Sequence, residues 1–146
     1  MDKYIDYLTE NLDGRRVKHS IGTAEQAQEL ARIHGGNEQK AYIAGLLHDV
    51  AKGKCECGPE KLAKEYDIVI DEVEQSNPEL IHGKLGAKIV SEQLGIEDED
   101  ILNAICWHTT GRADMSLLEK IVYIADLTEP SRQFENIDVV RELAKK

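Results

Sequence analysis

The chain has 146 residues, 28 acidic against 18 basic, for a formal charge of −10. That length fits one domain, since roughly 100–200 residues per domain is usual, and it suffices to bury a sizeable core. The acidic balance excludes non-specific binding to nucleic acid or to an anionic membrane surface, no apolar run approaches the roughly 20 residues of a membrane span, and no signal-peptide pattern opens the chain. An anionic small molecule could bind only where metal ions or a few local cations reverse the sign. The three cysteines, Cys55, Cys57 and Cys106, argue against a disulfide framework and for a reducing cytoplasm. Cys55 and Cys57 form a Cys-x-Cys with no second pair to complete a zinc site.

The apolar pattern is helical nearly throughout, with no convincing alternation of period two. Tyr4, Ile5, Leu8 and Leu12 make a first helix that stops at Asp13-Gly14. A second runs from about Arg15 to Ile33 and ends at Gly35-Gly36, glycines suited to a left-handed cap. Asn37 caps a third that ends near His48-Asp49. Gly58-Pro59 opens a fourth, with proline in its favoured first turn. A helical turn over Asp71–Gln75 ends at Asn77-Pro78, and a sixth helix runs from about Glu79 to Gly95. Asp98 caps a seventh, which places Ile101, Ala104, Ile105 and His108 on one face. Ser116 and Glu119 have capping-box spacing and begin an apolar eighth helix that ends before Pro130; Asp138 begins a last one that stops at Lys146. With no repeats, low-complexity tracts or linkers, the expectation is one all-α domain.

The chemistry concentrates around Ala44–Lys52, where His48 and Asp49 stand side by side after an apolar run containing the small residues Ala41, Ala44 and Gly45. Neighbours in a helix interior diverge, but at a last turn the backbone can leave the helical path and let both side chains converge. Four of the five histidines fall on inward faces. His19 lies near Gly22, Thr23 and Ala27; His48 follows Ala41 and Ala44; His82 precedes Leu85, Gly86 and Ile89; His108 follows Ala104 and Ile105. Asp126 sits below Leu118 and Val122 on an apolar helix, where an unpaired carboxylate would cost several kcal/mol, so it needs a compensating charge such as a metal ion. His34, before Gly35-Gly36, reads as an exposed residue complementing a helix C-terminus.

The order His19, His48-Asp49, Asp126 resembles the HD superfamily of metal-dependent phosphohydrolases. Arg16-x-x-His19-Ser20, Leu46-Leu47-His48-Asp49-x-Ala51-Lys52, Ile81-His82-Gly83, His108-Thr109-Thr110-Gly111 and Ala125-Asp126-x-x-Glu129-Pro130-x-Arg132, in that order, are similar to the bacterial symmetrical diadenosine-tetraphosphate hydrolases of that superfamily. The likeness covers Arg16 to Ala144, and members of that family often continue for further helices past this point. It implies a compact single-domain helical bundle of the HD type over residues 1–146, in which His19, His48, Asp49 and Asp126 bind a divalent transition metal. Mixed imidazole and carboxylate ligands suit iron, the first choice here, or manganese, cobalt or zinc, and do not suit calcium. Such an ion makes hydroxide available near neutral pH and polarises a phosphoryl oxygen. His82 and His108 admit two assignments: ligands of a second ion about 3.5–4 Å from the first and bridged by Asp49, or direct donors to phosphate.

Asp49, Lys52, His82 and His108 are then the expected catalytic group, with Arg16, Lys52, His82, His108, Thr109, Asp126 and Arg132 touching substrate. Arg16 lies one turn before His19, Lys52 one turn after the His-Asp pair, and Arg132 just past the helix of Asp126, so that the three could neutralise a polyphosphate. Arg112 reads as solvated, and Trp107 as core packing more than a stacking surface for a base. The implied function is a cytoplasmic hydrolase that splits diadenosine tetraphosphate into two ADP, with a dinucleoside polyphosphate or ADP-like nucleotide as ligand, no nucleic-acid or membrane partner, and a homodimer among the allowed states. The alternatives are an HD-type nucleotidase or phosphodiesterase on another nucleotide, and a nucleotide-binding module without turnover. The superfamily's cyclic-dinucleotide enzymes usually carry adjacent histidines in the second half, where this chain has His108-Thr109, and the intact ligand set argues against a module that only binds.

Overall fold

A computed structural model describes residues 2–53 and 59–146. The described helices are α1 (Asp2–Asn11), α2 (Gly14–His34), α3 (Glu38–Leu47), α4 (Pro59–Glu65), α5 (Glu72–Ser76), α6 (Ile81–Leu94), α7 (Glu99–Cys106), α8 (Leu117–Thr128) and α9 (Ile137–Ala144), with a 3-10 turn over Pro78–Leu80 leading into α6. No strand occurs among the described residues, and no helix of the described residues is long and apolar enough to cross a membrane. Cys55 and Cys57 lie outside the described residues; Cys106 carries a free thiol.

Side chains that satisfy the first orphan N–H groups set the helix starts. Asp13 accepts from the Arg16 N–H, Asn37 from Lys40, Asp98 from Asp100, and Ser116 shares a capping box with Glu119. Asp13, expected only as a stop for α1, is therefore the start of α2. The last helix begins at Ile137, after Asn136 in the left-handed region with φ 65°, and Asp138 lies inside its first turn. At the other ends, Gly35 with φ 75° and Gly95 with φ 69° close α2 and α6 in the conformation that carries no Cβ penalty.

The core runs between α2, α3, α7 and α8, with α6 packed on α7. Ala24, Ala27 and Ala31 of α2 and Ala41 and Ala44 of α3 are buried, so these two helices meet on small residues. A Cβ at Gly45 would fall 3.0 Å from the Ala24 Cα and 3.0 Å from the Thr23 carbonyl. Leu46, Leu47, Val50, Ile81, Leu85, Ile89, Ile105 and Val122 fill the remaining volume, each large side chain contributing about 1.5–3 kcal/mol by leaving water. The close α2–α3 approach brings the middle of α2 against the end of α3, and α8 closes over both.

Candidate metal centre

Six side chains from five places in the fold converge at that junction. His19 comes from the second turn of α2, Asp126 from the last turn of α8, His82 from the first turn of α6, and His108 from the turn after α7. His48 is the C-cap of α3, and the chain then tightens into i→i+3 bonds, Val50 N–H to the Leu47 carbonyl at 3.2 Å and Lys52 N–H to the Asp49 carbonyl at 3.0 Å. That departure from the helix swings Asp49 beside His48, with Oδ2 3.3 Å from Nε2.

The ligand-capable atoms form two groups that share one carboxylate. In the first, His19 Nε2 lies 2.9 Å from Asp126 Oδ1, 3.3 Å from His48 Nε2 and 3.6 Å from Asp49 Oδ2, and His48 Nε2 lies 3.3 Å from Asp126 Oδ1. In the second, Asp49 Oδ1 lies 3.3 Å from His108 Nε2 and 3.6 Å from His82 Nε2, and the two imidazole nitrogens are 3.1 Å apart. Donor atoms about 2.1 Å from one ion stand about 3.0 Å apart along an octahedral edge and about 3.4 Å apart in a tetrahedron, so both spacings fit an ion. Asp49 Oδ1 is buried and accepts no hydrogen bond, a costly state for a carboxylate oxygen without a cation.

All four histidines present Nε2 inward because Nδ1 is occupied. His48 Nδ1–H donates to the Gly45 carbonyl at 2.6 Å and His108 to Ile105 at 2.7 Å; His82 donates to the Glu79 carbonyl, and His19 to Glu129 Oε2 at 3.0 Å. Each bond fixes the tautomer that leaves a lone pair on Nε2. Facing lone pairs 3.1 to 3.3 Å apart repel with nothing between them and are natural around a cation. Burial, with His108 beside it, pushes His82 down to about 4, so at neutral pH its Nε2 accepts and does not donate.

Burial opposes protonation of His48, yet the carboxylates of Asp49 and Asp126 outweigh it and push the ring up to about 10. Burial raises Asp126 and Asp49 as well, but their imidazole partners hold both below the usual carboxylate range. Without an ion, the cluster takes a proton as its cation. The folded-state value of His48 lies above its ordinary 6.5, so the stabilisation is full below that pH and is lost as pH rises through about 10. Ion-free protein should therefore melt at progressively lower temperature from pH 7 to pH 10, whereas metal-loaded protein, with His48 already neutral, should lack that slope. Melting curves at several pH values with and without metal test this; parallel slopes would remove His48 from the cation-binding group.

A cleft of about 520 Å³ opens on the first group, lined by Arg15, Arg16, Lys18, His19, Asp49, Lys52, Ser131 and Arg132. Lys52 Nζ lies 3.2 Å from Asp49 Oδ2. Arg132 does not stand free in the cleft: it donates to Asp126 Oδ1 at 2.9 Å and to the Asp126 carbonyl at 3.0 Å. Arg16 is 3.7 Å from Asp13. A second, smaller recess of about 230 Å³ opens on the other group, between Lys52, His82, His108, Thr109, Tyr123, Asp126 and Leu127; Thr109 Oγ1 lies 3.2 Å from His82 Nε2.

Arg112 is not simply solvated, as the sequence suggested. It pairs with buried Glu119 at 2.7 Å and covers Trp107 at 5.4 Å from the ring centroid, so a guanidinium already occupies the face of the half-buried indole. His34 is exposed at the end of α2, with Nε2 2.6 Å from the Ala144 carbonyl. Sequence reasoning gave no role to Arg15, Lys18 or Glu129. The first two carried a signal: Gly14-Arg15-Arg16-Val17-Lys18 puts positive charge in the first turn of α2, against the helix dipole, in a chain of charge −10.

Residues 16–131 match the family described as HD domain. The chain is 42% identical over 143 residues to a protein of Halalkalibacterium halodurans named symmetrical bis(5'-nucleosyl)-tetraphosphatase, covering 98% of this chain and 76% of the relative. A Bacillus subtilis protein of the same name is 40% identical, covering 94% and 74%. A crystal structure from Clostridium acetobutylicum, described as a predicted HD superfamily hydrolase involved in NAD metabolism, superposes with a TM-score of 0.94 at 43% identity, over 99% of this chain and 77% of that one.

Proposed function

The chain belongs to the HD domain family and, within it, to the symmetrical bis(5'-nucleosyl)-tetraphosphatases, and on that footing we propose that it is a metal-dependent hydrolase that splits diadenosine tetraphosphate into two ADP. The observation that carries the metal chemistry is Asp49, whose two oxygens each face a separate group of imidazoles while Oδ1 has no other partner. In this reading His19, His48, Asp49 and Asp126 would hold one ion, and Asp49, His82 and His108 would hold a second. Nitrogen and oxygen donors without thiolate suit iron, manganese, cobalt or zinc, and the resemblance to the family puts iron first. The ions supply Lewis acidity and a nucleophile at neutral pH.

The chain's own groups do the rest. Arg15, Arg16, Lys18 and Lys52 offset the charge of a polyphosphate drawn into the cleft of an otherwise acidic protein. Arg132 keeps Asp126 turned towards His19 and offers its remaining donors to phosphate. Thr109 Oγ–H, beside His82, donates to a phosphoryl oxygen on the far side. Two openings, one on each group, suit a substrate whose reacting phosphorus lies near the middle of the molecule. The setting is the reducing cytoplasm.

Chromatography of early time points tests the regiochemistry. Attack on either central phosphorus of diadenosine tetraphosphate gives ADP as the sole initial product. Equal amounts of ATP and AMP would mean attack on an outer phosphorus and would make the symmetrical reading wrong.

A further inference from the structure

Three of the four inward histidines are oriented by the carbonyl three residues earlier: His48 by Gly45, His82 by Glu79 and His108 by Ile105. This works because each stands at a helix terminus, where the ring can fold back on its own backbone. His19 is in the interior of α2, where the carbonyls are already engaged along the helix, and its Nδ1–H needs an acceptor from elsewhere. Glu129, the first residue after α8, supplies it through Oε2 at 3.0 Å. The carboxylate is fully buried, and among the described residues its only cationic partner is that imidazole; its Oε1 accepts from the Ser131 N–H. The backbone around it is pinned from α9, where Arg141 donates to the carbonyls of Thr128 and Glu129 at 2.9 Å each. Across the interface stands Gly22: a Cβ there would fall 2.9 Å from Glu129 Oε2, so the absent side chain is what leaves room for the carboxylate. Burying a carboxylate carries a large desolvation cost, and packing alone could be met by an apolar residue.

We propose that Glu129 is the positioning residue for His19, fixing the ring's tautomer and direction so that Nε2 is aimed at Asp126 and His48, with Gly22 as the gap that admits it. His19 is thus the one imidazole of the four whose Nδ1–H is held by a side chain and not by a backbone carbonyl. The proposal rests on the metal-ligand reading above.

The test is titration of ion-free protein with Co²⁺ against a competing chelator, followed by the cobalt absorption bands, beside melting curves of the same ion-free samples. Asp49→Ala serves as the reference that lacks the shared ligand. Removing a group that orients a ligating histidine typically lowers metal affinity about 10–100-fold, and that is the loss expected of Glu129→Ala. Gly22→Ala keeps the carboxylate but displaces it, and should lower affinity in the same way. Glu129→Gln keeps the shape and one acceptor and should lose less. Should Glu129→Ala fail to fold, Glu129→Gln and Gly22→Ala carry the comparison. Wild-type Co²⁺ affinity in the folded variants, with only their ion-free melting temperature reduced, would show a packing role and overturn the proposal. Equal Co²⁺ binding by wild type and Asp49→Ala would overturn the metal centre itself, a result distinguishable from failure at Glu129 alone.

Discussion

Asp49→Ala is expected to purify without bound metal and to lose turnover by on the order of 10³-fold or more, since metal-ion catalysis contributes several kcal/mol and each 1.36 kcal/mol is about tenfold. The size of the effect follows from geometry. Oδ2 lies 3.3 Å from His48 Nε2 and Oδ1 3.3 Å from His108 Nε2, so one substitution removes a donor from both groups. The same change leaves Lys52 without its carboxylate, which shifts the local balance further towards repelling a cation. Asp49→Asn retains the shape and separates charge from volume: if the negative charge holds the ions, Asn should bind metal almost as poorly as Ala. Elemental analysis on the same samples used for kinetics is the measurement. Metal content equal to wild type in Asp49→Ala would make the assignment of the shared ligand wrong.

The positions of the four histidines were legible because helical spacing alone puts His19, His48, His82 and His108 on faces that otherwise hold Ala, Leu, Ile and Gly, and buried polar side chains on such faces require partners. The convergence of His48 with Asp49 was legible too, because adjacent residues meet only where a helix ends. Asp49 facing His82 and His108 through its second oxygen was one of two assignments open to the sequence, and the choice between them depends on how α6 and α7 sit against the end of α3, about which periodicity carries no information. Arg112 was read as solvated because its partner, Glu119, already had a complete local explanation in the capping box with Ser116; a carboxylate can serve both at once. The start of α9 was misplaced by one residue because Asn136 opens it in a left-handed conformation with no side-chain cap, a device that composition does not announce. Glu129 stayed without a role for the opposite reason: a Glu before a Pro at a helix end looks like surface, and its burial depends on Gly22, 107 positions away in sequence but facing it across the packed junction.

Gly83→Ala should be a strongly damaging change of a single methyl group beside His82 and His108. A Cβ on Gly83 would lie 2.4 Å from the Cys106 carbonyl oxygen and 3.3 Å from its carbon, and backbone at that distance cannot step aside as a flexible side chain can. The clash pries the first turn of α6 from the end of α7. Those two places carry His82 and His108, whose Nε2 atoms are 3.1 Å apart. Overpacking of this kind costs about 1–3 kcal/mol, and a displacement of about 1 Å at a catalytic group on the order of 10²-fold in rate. The damage should be confined to the second group, because His19, His48 and Asp126 belong to α2, the end of α3 and α8. If each group holds one ion, as proposed above, the variant is expected to keep about half the metal of the wild type while losing most of its activity. Gly86→Ala, one turn further along α6, is the control: its Cβ would meet side-chain atoms of Ile105 at 3.3 Å and Val50 at 3.5 Å, which can yield by a few tenths of an ångström, so stability and turnover should fall much less. Comparable losses in the two variants would point to general crowding of α6 and away from a specific separation of His82 from His108.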